Sequence, residues 1–212
     1  MPIVWMLRFG AVCGVVMALS LGVPGAIEVF TGETAATSLV IGLGAGLGAP
    51  ALTAFHLHQS AFSGRFGAIA YGVNMIGFSL FAGIAFALNV VVFFLDPAVA
   101  TQLLAGPTRI VLLTGVAVFV VGTALFCASM VRARVFPRVP AWGYGVTLVL
   151  LALSSSLPDT PLTGALHVFA AGSLIWLSLS LRQDRRPGRG RQDAVVPGQA
   201  GTQAGTPYGI AG

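Results

Sequence analysis

Few side chains in this sequence could do chemistry, and most of those that could sit inside long apolar runs. Three histidines, His56, His58 and His167, come first, because imidazoles within apolar helices ligate haem or hold metal ions. His56 and His58 are two positions apart, a spacing that turns them by ~200° on a regular helix, so they cannot share one ion. Asn74 and Asn89 each offer donors and an acceptor, Tyr71 a phenol and Arg8 a fixed positive charge. Cys13 and Cys127 have no metal-ligand spacing and read as small apolar residues. Ser79, in GFSLF, lacks the glycine that a nucleophile elbow needs, because Phe81 stands there. There is no HExxH motif, and no carboxylate is expected within an apolar run, so acid–base or zinc chemistry has too few groups.

The elements that position these groups follow from composition. Of 212 residues, 56% are hydrophobic and only 8% charged, too few to coat a soluble globule, so lipid is the expected solvent. Six apolar segments are expected at 3–22, 38–57, 67–95, 110–130, 141–157 and 162–181, each near the ~20 residues that cross ~30 Å of hydrocarbon. The fold class expected is all-α, a polytopic six-helix transmembrane bundle over residues 1–181. Residues 182–212, basic and then rich in Gly, Gln and Ala, read as a disordered tail.

Charge sets the expected orientation. Loop one carries Glu28 and Glu33, loop three Asp96 and Arg109, and loop five Asp159. Arg65, the Arg132–Arg134–Arg138 group and the five arginines of the tail make nine of the eleven, and there is no lysine. The positive-inside rule then puts both termini in the cytoplasm of a multi-pass protein of the cell membrane. The tail arginines suit anionic lipid headgroups. Scattered charge with no basic face excludes nucleic acid as a partner.

Depth along the helices divides the polar groups into two layers. Arg8, His56, Tyr71 and Asn74 fall toward the cytoplasmic side, Asn89 and His167 toward the outer side. His56 is ~27 Å and His167 ~9 Å from the outer boundary, too far apart to ligate one haem iron, and no cofactor is expected. An intramembrane histidine is a functional candidate by default, against the plainer reading that His167 bonds Asn89 or a backbone carbonyl.

Gly42, Gly44, Gly46 and Gly48 form two interleaved GxxxG pairs on opposed faces, and Pro50 predicts a kink. Such small-residue faces suit helix packing, a second copy of the chain or another membrane subunit. RFGAIAYGV (65–73) also matches RVPAWGYGV (138–146), through a duplicated hairpin or through shared demands at the headgroup level. The expected role is a non-enzymatic structural, regulatory or partner-binding membrane subunit. The alternatives are a transporter or channel using the His56/Asn74 and Asn89/His167 layers, and a membrane-embedded enzyme.

Overall fold

Glycines with positive φ mark three turns of this apolar chain, at Gly32, Gly64 and Gly106, and Arg134 marks another. The computed structural model describes residues 2–154 and 160–183. Among them every regular element is helical: α1 Pro2–Thr31, α2 Ala35–Ala45, α3 Gly48–Phe86, α4 Pro97–Leu104, α5 Pro107–Ala133, α6 Arg138–Ser154 and α7 Pro161–Gln183. A π-helical turn, Ala87–Val91, and a 3-10 turn, Val92–Phe94, extend α3.

Helix α3 is one run of 39 residues but two rods. Gly64, at φ 55° and ψ −154°, occupies a region that essentially only glycine enters, and the chain reverses there. The two halves then lie antiparallel: the Tyr71 ring stacks on His56 at 4.2 Å, and its hydroxyl meets Thr53 Oγ1 at 2.9 Å. Gly32, at φ 69°, ends α1 in the same way, its N–H donating to the Glu28 carbonyl at 2.9 Å. Thr34 and Thr37 then cap α2 reciprocally, each side-chain oxygen accepting from the other's backbone N–H.

The result is six antiparallel rods: α1, α2 with the first half of α3, the second half of α3 with its π turn, α5, α6 and α7. They follow chain order round a ring that closes where α7 packs on α1. Small residues let them approach. Gly77 faces the Phe119 backbone, Gly122 the Asn74 backbone, Gly14 Ser178 and Gly22 Ala171. The outward face is as apolar as the interior: Ile76, Ile110, Val111 and Phe169 are exposed, whereas Phe55, Phe126, Leu174 and Leu177 are fully buried. Four stretches are long and apolar enough to cross a membrane, Ile3–Thr31, Ala35–Phe94, Pro107–Ala133 and Pro161–Leu181, and the second of these contains the Gly64 reversal. The apolar α6 is shorter, at 17 residues.

Several elements depart from the sequence reading. Helix α1 does not stop near Gly22 but continues to Thr31, carrying Glu28 into the bundle wall. Pro24 lacks the N–H that would bond the Ser20 carbonyl, yet it lies buried among close α1–α7 contacts and does not end the helix. The second rod breaks at Gly46–Leu47 and does not kink at Pro50, which sits in the first turn of α3, where its missing N–H matters little. Between the third rod and α5 lies a helix not anticipated, α4, capped by the Asp96 carboxylate accepting from Ala98 N–H at 2.9 Å. Its Val99 and Leu103 are exposed, as suits a segment lying along a membrane surface. Helix α7 continues two residues into the expected tail, to Gln183, and the rest of that tail and the end of the fifth segment, with Asp159, fall outside the described residues.

Candidate functional site: a cavity above a buried polar triad

All six rods contribute to one central cavity of about 440 Å³. Its lining runs along α1 from Met17 to Glu28 and along α3 from Phe78 into the π turn at Asn89, in each case ~16 Å of helix. Polar groups gather at the upper end: Glu28, Glu33, Asn89, Ser154, Thr163 and His167. The lower end is mostly apolar, with Met17, Phe78, Phe81, Phe119, Leu148 and Leu151, and the Ser20 hydroxyl there donates to Val16 O at 2.9 Å. Phe81 and Phe119 stack at 4.3 Å and 11° between planes, and Phe78 leans on Phe119 at 6.4 Å.

One helical turn below Phe78, Phe119 and Leu148 lie Asn74, Thr123 and Tyr144, all buried. Thr123 Oγ1 donates to Asn74 Oδ1 at 3.2 Å, and Asn74 Nδ2 donates to the Tyr144 hydroxyl at 3.1 Å. Three rods are thereby tied together by polar groups that have no water to turn to. None of the three lines the cavity, whose floor is the turn above them. Nearby, buried Gln59 donates to Ser129 Oγ at 3.4 Å and links the first half of α3 to α5.

The residues singled out from the sequence therefore divide. Asn89 and His167 share the cavity but do not bond each other. Asn89 Nδ2 donates to Ala85 O at 2.8 Å, and His167 Nδ1 lies 2.8 Å from Thr163 O, each on the carbonyl four residues back. That second contact suits an N–H at Nδ1, which leaves Nε2 available. The His167 ring is seated against Gly25, where any Cβ would strike it. His56 and Tyr71 pair with each other away from the cavity, His58 tilts on Phe136 at 5.0 Å, and Arg8 is exposed on the outer face of α1. Asn74 joins neither layer's histidine but the triad.

Of the glycines in the second rod, Gly42 packs on Asn89 and Val90, Gly44 on Ser20, and Gly48 on Phe78 and Met17. Gly46 touches no other helix and Pro50 lies under Gly10. The glycine faces thus close contacts inside the bundle.

Sequence reasoning missed Glu28, Thr123 and Tyr144. The sequence reading puts Glu28 in loop one, beyond a first segment ending at 22. Its seven-residue spacing from Leu21, which also lines the cavity, was the helical signal that could have found it. Glu28 is only 8% exposed, and its Oε1 has no hydrogen-bond partner. Glu33, at the rim, is exposed and accepts from Ser38 Oγ at 2.7 Å. Among the described residues no three His, Cys, Asp or Glu side chains are grouped closely enough to hold a metal ion. A second, shallower cleft lies at the α5–α6 corner between Arg132, Arg134 and Arg138.

The chain matches no family model, no curated protein and no solved structure.

Proposed function

We propose that this chain is a six-span protein of the cell membrane that acts without catalysis, binding a small amphiphilic or apolar ligand in its central cavity, as a regulatory or partner-associated subunit. The cavity with a sealed floor carries this reading. A pocket of this size, apolar below and polar at one end, has the make-up of ligand sites in general. A channel needs polar groups through its whole depth, whereas here Phe78, Phe119 and Leu148 and then the bonded triad lie across the axis.

Each rod is taken to cross once. Helix α6, ~26 Å long, is close to the hydrocarbon thickness. Both ends of the bundle chain, the Gly64 turn with Arg65 and the α5–α6 corner with its three arginines share one end of the ring, and Glu28, Glu33 and Asp96 the other. That supports cytoplasmic termini and an outward-facing cavity mouth. Contact with anionic lipids follows for the arginine end.

The reading is tested by titrating purified protein in detergent with the neutral fluorophore N-phenyl-1-naphthylamine. Saturable binding at one site is expected, and Ala85→Trp, which fills the cavity from its wall, is expected to weaken it at least tenfold. Equal binding by the two proteins would place the dye elsewhere and overturn the reading.

A further inference from the structure

We propose that the cavity is selective for a monovalent organic cation with an apolar body, and that Glu28 is its counter-charge. This rests on the ligand-binding reading above and adds the chemical class of ligand. Glu28 is more than nine-tenths buried, lines the cavity, and keeps Oε1 without a donor. A buried carboxylate oxygen with no partner is costly, and folded proteins retain such groups where a ligand supplies what is missing. Among the described residues no arginine lines the cavity and no ion pair compensates Glu28.

Among the described residues the two charged side chains of the lining are both carboxylates, Glu28 and Glu33, and the one imidazole, His167, has its Nδ1 taken by Thr163 O. The potential at the mouth therefore favours a positive group. Deeper in, Phe78, Phe81 and Phe119 present ring faces and edges around the apolar half of the space. Aromatic faces attract a cation as well as an apolar body, whereas an anion meets the negative side of the ring quadrupole. A single carboxylate at that depth matches one positive charge. A divalent metal ion suits the lining less well, because among the described residues no three His, Cys, Asp or Glu side chains are grouped closely enough to hold one.

The test uses two ions of nearly the same shape and opposite sign. Tetraphenylphosphonium and tetraphenylborate are titrated against the purified full-length protein by equilibrium dialysis. Saturable binding of the phosphonium is expected, at least tenfold tighter than that of the borate. Glu28→Gln, which keeps shape and removes charge, is expected to abolish the preference, and Asp96→Asn, which removes a carboxylate outside the cavity, to change phosphonium affinity less than threefold. Helix content and monodispersity of each variant serve as the folding check. Should Glu28→Gln fail to fold, the wild-type protein answers alone. Dicyclohexylcarbodiimide labelling of Glu28, mapped by mass spectrometry, is expected to be blocked by the phosphonium and not by the borate. Equal binding of both ions, or phosphonium binding that survives Glu28→Gln, overturns the cation assignment. If neither ion binds while N-phenyl-1-naphthylamine still does, the cavity reading stands and this inference falls. If none of the three binds, both fall.

Discussion

At the scale of single residues, the buried triad separates groups that hold the bundle from groups that face its cavity. Asn74 is the hub, accepting from Thr123 and donating to Tyr144. Replacing it with alanine leaves both partners without a mate in an apolar interior, and we expect a loss of about 1–2 kcal/mol in unfolding free energy. Tyr144→Phe keeps the ring against Phe126 and removes the hydroxyl that accepts from Asn74 Nδ2, so its loss should be smaller, roughly the worth of one membrane hydrogen bond. Denaturation of the purified protein in mixed micelles measures both. Neither variant should alter dye binding in the cavity, because the triad lies below the floor. A triad residue whose loss changed dye affinity and not stability would belong to the site instead.

At the scale of elements, close approach through glycine is the main device, and it is unevenly distributed. A Cβ on Gly122 would lie 2.6 Å from the Asn74 Cα, against backbone that cannot step aside. We expect Gly122→Ala to destabilise by about 1–3 kcal/mol, the usual effect of overpacking. A Cβ on Gly46 meets nothing nearer than the Leu43 carbonyl at 3.5 Å, and the residue has φ −61°, so Gly46→Ala should be neutral or mildly stabilising. Paired thermal melts decide between them. These glycines look alike in the sequence. The GxxxG pattern identifies a helix that can be approached, but the contacts depend on the break at Gly46–Leu47, which no residue spacing announces. The reversal at Gly64 is a different matter: a glycine beside Arg65, between two apolar runs, was legible as a turn between helices. Glu28 reads as a loop residue for the converse reason. Pro24 is a strong stop signal in isolation, overridden here by the close packing of α1 on α7.

At the scale of the whole molecule, composition and hydropathy carried the all-helical architecture, since a chain with 8% charged residues and long apolar runs has few ways to satisfy its backbone in lipid. The sharing of one cavity by Asn89 and His167 was readable only as equal depth. That they face the same space depends on the ring order of the rods, which is a tertiary fact. The proposed topology makes a direct prediction. In a background with the buried Cys13 and Cys127 replaced by alanine, single cysteines at Glu33 and Thr101 should react with a membrane-impermeant maleimide added to intact cells. Cysteines at Phe62 and Pro137 should react only after the membrane is opened. Labelling of Phe62→Cys in intact cells would invert or refute the six-span arrangement.

The closure of the ring has a consequence in time. Among the described helices α1 is made before its long partner α7, with every other rod in between. Until then the small-residue face of α1, with Gly14, Gly22 and Gly25, has no mate, and Gly25 waits for the ring of His167. The cavity, walled in part by α7, cannot exist on a ribosome-bound chain that lacks it. Assembly of this protein is therefore governed by a contact between two helices made far apart in time, a long-range pairing of the kind that slows folding and exposes unpaired surface meanwhile.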